Sequence, residues 1–199
     1  MNAEAPSACG PLIIWPGEDA RLQRLARALP RPCVFTNGVF DLLHAGHADG
    51  LAAARSLGAA LVVGVNSDHS ARVLCKGAGR PFNNEHDRAA LVASMAAVSA
   101  VVVFDEEAPL ALLHALRPEV FVKGDDRPIG DLPEAACVAQ WNGRVQLIKR
   151  TRGLSSSLLV QRIRASAAAD GDSFGRRVAS PPSQPSPASP ASPPSMVSP

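Results

Sequence analysis

Apolar residues along this chain gather in short unbroken runs, with helix-prone stretches between them. The spans 33–35, 60–65, 100–104, 120–122 and 145–148 are nearly continuous apolar runs. A strand that faces water on one side alternates in character, whereas a continuous run fits a parallel strand covered on both faces. Between these runs, 46–57, 84–98, 107–116 and 131–141 are rich in alanine and leucine and read as helices. A further helix over 18–29 precedes the first strand, and another over 156–167 follows the last. Asn84, with Asp87 three residues on, reads as the capping pair that opens the helix over 84–98. Strand and helix in alternation predict an α/β fold, a doubly wound parallel five-stranded sheet in a single domain. In such sheets ligands bind beyond the carboxyl ends of the strands.

Domain organisation follows from where this pattern stops. Residues 1–11 read as an N-terminal extension, 12–167 as the folded domain and 168–199 as a tail rich in serine and proline. The last twenty residues hold eight prolines and seven serines and no charge, so burial cannot offset their ordering entropy and disorder is expected. A net charge of +2 is too small for a dedicated nucleic-acid binder. Aromatic residues make up 4% of the chain and tyrosine is absent, which removes the stacking platforms that bind single strands. The four cysteines, Cys9, Cys33, Cys75 and Cys137, form no CxxC pair and fit reduced thiols in a cytoplasmic protein. The first ten residues carry an acid and no basic segment, so no signal peptide is expected, and no apolar run approaches a membrane span.

Candidate chemistry concentrates in FTNGVFDLLHAGH, residues 35–47, at the end of the first apolar run. Two of the five histidines, His44 and His47, stand three apart around Gly46. As metal ligands they would need further partners, and Asp41 is the only near one; zinc-binding pairs usually lie within a helix, which Gly46 interrupts. As incidental turn or core residues they would leave the glycines unexplained. Anion binding explains both. A helix N-terminus offers unpaired N–H groups and partial positive charge, Gly38 and Gly46 admit close approach, and the imidazoles add donors.

The pattern Thr36-x-Gly38-x-Phe40-Asp41-x-x-His44-x-Gly46-His47 resembles the signature of the HxGH nucleotidyltransferases. GVNSD (64–68), KGAGRPFNNEHDRAALV (76–92), LRPEVFVKGDD (116–126) and GLSSSLLVQRI (153–163) resemble, in order and spacing, the adenylyltransferase branch that makes ADP-heptose. The resemblance spans roughly residues 12–165. It implies a Rossmann-like nucleotidyltransferase fold and transfer of an adenylyl group from ATP, with Mg²⁺, to D-glycero-β-D-manno-heptose 1-phosphate, which releases pyrophosphate and gives ADP-heptose for lipopolysaccharide core synthesis. It also implies a functional link to a separate heptose 7-phosphate kinase, leaves a homodimer open, and calls for neither nucleic acid nor membrane. Such a reaction needs positioning and charge neutralisation rather than an activated nucleophile, and the chain has neither a G-x-S-x-G elbow nor a Walker loop.

Carried over by position, the resemblance makes His44, His47 and Lys76 catalytic. Thr36, Asn37, Gly38, Phe40, Gly46, Lys123, Gly124, Asp125, Ser155, Ser156 and Ser157 would bind nucleotide. Asp41, Asn66, Asp68 and Arg88 would bind substrate, and no metal would be held directly by the protein. Several positions keep a plainer reading beside this one. Asp41 equally suits an acid bonded to backbone, Arg88 a partner for Glu85 or Asp87, Lys76 a solvated loop and Ser155 an ordinary N-cap. The sequence departs from the heptose branch at Asp125-Asp126, where that branch commonly has two glycines, one aspartate and an aromatic residue. A cytidylyltransferase acting on glycerol 3-phosphate is the rival enzyme, since RTRGLSSS (150–157) and Asp125-Asp126 resemble that branch too. An aminoacyl-tRNA synthetase carries a similar motif but needs a longer chain. A docking module built on the P-x-x-P spacings of the tail is the alternative outside enzymology.

Overall fold

The computed structural model describes residues 12–74, 79–126, 128–149 and 153–169. The chain divides into two units, Met1–Leu159 and Val160–Pro199. The first holds the whole sheet. Of the second, the described part is the rest of the last helix, where Ile163 is exposed. The extension over 1–11, the tail beyond 169 and Lys76 lie outside the described residues.

In chain order the elements are β1 Leu12–Ile14, α1 Asp19–Ala28, β2 Cys33–Gly38, α2 Ala45–Arg55, β3 Ala60–Asn66, α3 Asp68–Leu74 and α4 Glu85–Ala93. Then follow β4 Ala100–Phe104, α5 Leu110–Leu116, β5 Val120–Gly124, α6 Pro133–Ala139, β6 Arg144–Ile148 and α7 Ser156–Ala169. All neighbouring strands are parallel, in the order β1-β4-β3-β2-β5-β6. The sheet therefore has six strands where the apolar runs predicted five. The added strand, β1, is only three residues long and pairs with the outer edge of β4, Ile13 opposite Val101. The apolar runs read as strands did not include this tripeptide, which becomes one because the edge of β4 is there to pair with it.

Side chains alternate between two cores, as a parallel strand covered on both faces requires. Phe35, Val62, Val102 and Phe121 point to one face, where they meet α1, α5 and α6 through Leu22, Leu113 and Val138. Val34, Val63, Val101 and Val120 point to the other, against α2 and α4 through Leu51, Ala89 and Val92. Cys33 lies in the first core, and burial pushes its thiol up to about 11, which leaves it inert.

The expected cap forms: Asn84 Oδ1 accepts the Asp87 backbone N–H at 2.9 Å, and Asn84 Nδ2 donates to Asp87 Oδ2 at 2.7 Å. Helix α4 stops at Ala93, short of the expected 98, because the chain turns through Met95 to deliver β4. Helix α5 starts only after Pro109, and α6 starts at Pro133, a residue favoured in a first turn. Helix α3 was not expected.

Strand order fixes where a ligand can sit. From β2 the chain moves outward through β3 to β4, then returns to β5 on the other side of β2. The crossovers on the two sides of β2 cover opposite faces, so a crevice opens at the carboxyl ends of β2 and β5.

Candidate active site

A cleft of about 520 Å³ occupies that crevice. Thr36, Asn37 and Gly38 at the end of β2, Val122 to Gly124 at the end of β5, Ile148 at the end of β6 and Lys149 after it line the cleft. His44, Gly46 and His47 add the N-terminus of α2, and Leu154, Ser156 and Ser157 the first turn of α7. Elements far apart in the chain thus put two helix N-termini and two imidazoles on one cavity.

The turn between β2 and α2 is held in a demanding shape. Phe40 has φ +54°, the left-handed region that a bulky residue adopts at a cost of about 1 kcal/mol or more. Its ring packs 5.5 Å from that of His47 and close over Gly38, where a Cβ would come within 3.2 Å of it. At Gly46 a Cβ would meet the His44 ring at 3.1 Å, so glycine there lets His44 fold back over the helix start. The His44 and His47 rings stack with centroids 4.0 Å apart. His47 Nδ1 accepts the backbone N–H of His44 at 3.3 Å, a reciprocal cap. In a neutral imidazole that bond puts the ring proton on Nε2, which makes Nε2 a donor.

Other expected residues take mixed positions. Thr36 lines the cleft, but its hydroxyl donates to the Val122 carbonyl at 2.9 Å and so ties β2 to β5. Ser156 lines it and donates to Leu42 O at 2.9 Å, while Ser155 accepts the Leu158 N–H at 3.1 Å as an N-cap and does not line it. Lys123 lines the cleft with its ammonium 3.3 Å from Glu134. Asp126 reaches the wall; Asp125, expected there, does not.

Three residues expected to touch substrate stand away from the cleft. Arg88 is fully buried. It donates to the carbonyls of Val39, Asn66 and Asn83 at 2.6, 2.7 and 3.0 Å and pairs with Asp68 at 2.7 Å. Asn66 donates to Ser70 at 2.8 Å. Arg88 therefore locks together the ends of β2 and β3 and the entry to α4, and its partner is neither of the two acids expected, Glu85 or Asp87. Asp41 borders the cleft, is buried, and accepts the N–H groups of Phe82 and Asn83 at 2.7 and 3.0 Å. Sequence reasoning left out Arg80, a wall residue within the quoted 76–92 block, and the apolar lining residues Val122, Ile148 and Leu154, which look like core until the crevice is seen. Among the described residues no group of three or more His, Cys, Asp or Glu side chains gathers around a common point.

A family model described as cytidylyltransferase-like matches residues 35–162, which contain this whole cleft. The chain belongs to the cytidylyltransferase-like family. It is a nucleotidyltransferase, as the HxGH pattern over residues 36–47 leads one to expect. A D-beta-D-heptose 1-phosphate adenylyltransferase of Bordetella bronchiseptica is 50% identical to it over 139 residues, 70% of this chain and 86% of that one. The bifunctional protein HldE of Mesorhizobium japonicum is 49% identical over 135 residues, which are 68% of this chain but 27% of that longer protein. Among solved structures, a lipopolysaccharide core biosynthesis protein from Thermoplasma volcanium matches with a TM-score of 0.50 at 26% identity, covering 60% of this chain and 95% of that one. This nucleotidyltransferase has no helix, among its described residues, long and apolar enough to cross a membrane.

Proposed function

We propose that the chain joins D-glycero-β-D-manno-heptose 1-phosphate to ATP, giving ADP-heptose and pyrophosphate, in the cytoplasm and in the service of lipopolysaccharide core synthesis. One observation carries the reading: a heptose 1-phosphate adenylyltransferase shares half of its residues with this chain over 86% of its length. Residues 35–162, which the family model matches, contain the whole cleft.

In the reaction a phosphate oxygen of the sugar 1-phosphate attacks the α-phosphorus of ATP. A P–O bond forms there, and the bond from the α-phosphorus to the bridging oxygen breaks, so that pyrophosphate leaves with that electron pair. The attacking oxygen is already anionic, so no base need activate it. What the protein must do is hold two polyanions in line and receive the charge that grows on the transferred group. The α2 N-terminus and the backbone at Gly38 would cradle the triphosphate. His47, through Nε2, and His44 would donate to oxygens of the α-phosphate as charge develops. The first turn of α7, with Ser156 and Ser157, would take a further phosphate oxygen. Mg²⁺ would enter on the triphosphate as part of the substrate and neutralise charge on its oxygens.

Pyrophosphate release decides the matter. The full chain, with Mg²⁺, is expected to turn over ATP with heptose 1-phosphate well above CTP with glycerol 3-phosphate. A clear preference for the second pair would make the protein a cytidylyltransferase of a phosphoalcohol and overturn the reading.

A further inference from the structure

We propose that Arg80 grips the phosphate of the acceptor, the sugar 1-phosphate, and that Asp41 and Phe82 serve to place it. The inference rests on the nucleotidyltransferase reading and names the residue that the second anion meets.

The cleft straddles β2. On one side stand the ends of β5 and β6 and the first turn of α7; on the other, the connection that leaves β3 and leads to α4 and β4. An in-line displacement brings its attacking and leaving oxygens to opposite sides of the phosphorus, so the acceptor phosphate needs a cation away from the one that meets pyrophosphate. Among the described residues, the cations on the cleft wall are Arg80, Lys123 and Lys149. Lys123 and Lys149 come from the β5 and β6 side, and the charge of Lys123 is already matched by Glu134. Arg80 alone comes from the β3 side, and among the described residues it forms no ion pair.

Its setting restrains the side chain. The guanidinium carbon lies over the Phe82 ring, 5.3 Å from its centre, a cation–π contact that uses none of the N–H groups a phosphate would take. The backbone beneath is fixed from two directions. Asp41 accepts the N–H groups of Phe82 and Asn83, and Arg88 bonds the carbonyls of Asn83, Val39 and Asn66. Asp41 borders the cleft, and its Oδ1 accepts both of these N–H groups and fixes the backbone that carries Arg80 to the wall, so it is a positioning residue.

The test uses the full chain. Wild type is first assayed with ATP and heptose 1-phosphate and with CTP and glycerol 3-phosphate, which judges the functional reading and supplies the acceptor for the variants. Arg80→Ala is then expected to raise the KM for that acceptor by about 10- to 100-fold, as loss of charge-assisted hydrogen bonds does, with the nucleotide KM changed less than about threefold. Arg80→Lys should recover only part, since a point charge lacks the fork. Phe82→Ala should raise the acceptor KM severalfold with the melting temperature held. Calorimetry of acceptor and nucleotide binding, each alone, gives the same comparison without turnover. A rise confined to the nucleotide KM, or no change in either, overturns the role of Arg80 while leaving the reaction standing. Failure of wild type to bind or turn over either acceptor overturns both.

Discussion

The role proposed for His47 turns on its local geometry. Its Nδ1 is capped by the His44 N–H and its ring is packed between those of His44 and Phe40, so the direction of Nε2 is set before substrate arrives. A donor fixed in advance lowers the barrier because no reorganisation is needed as charge grows. His47→Ala is expected to lower kcat by roughly 10²–10³, about 3–4 kcal/mol, with ATP affinity near normal. On the proposed mechanism the stacked rings act on one phosphoryl group, so the double variant with His44→Ala should lose little beyond the worse single. Turnover, ATP affinity and melting temperature measured on the three variants check this. Unchanged turnover in both singles would remove the role, and a fall in melting temperature with normal turnover per folded molecule would make the pair structural.

At the level of elements, the start of β2 depends on an acid from the connection between α5 and β5. Glu119 accepts the backbone N–H of Cys33 at 2.6 Å and pairs with Arg31 at 3.2 Å. Partial burial works to raise its pKa, but the Cys33 N–H, its own N–H and Arg31 outweigh that and hold it below the usual 4.5. In the unfolded chain the carboxyl binds its proton at higher pH than in the folded one. The stabilisation is therefore complete above about pH 4.5 and is lost as pH falls through the lowered folded value. Glu119→Gln should melt below wild type at neutral pH, and the gap should narrow as the pH is lowered below the usual carboxylate value of 4.5. A gap that stays constant throughout the acid range in which the protein stays folded would show that charge has no part in it. The pair is partly exposed, so salt should shrink the effect.

On the scale of the whole molecule, the segment Ser180–Pro199 has no charge, and its composition offers no anchor for a core. Removing it should leave both the melting temperature and pyrophosphate release unchanged. A drop of several degrees, or loss of most activity, would show that the tail serves the enzyme. The sequence by itself determined the alternation of strand and helix, the two-sided burial of the strands and the HxGH turn at the end of β2, because each depends on the period and spacing of nearby residues. The Asn84 cap was legible for the same reason. It did not determine the sixth strand, since Leu12–Ile14 becomes one only against the edge of β4. Nor did it tell contact from scaffold. Arg88 and Asp68 look like substrate ligands in a motif list, yet the fold buries Arg88 among three carbonyls and Asp68, while Arg80, eight residues earlier, reaches the cleft. Which way a charge faces depends on what packs around it, and those neighbours come from β2, β3 and the entry to α4, brought together only by the fold.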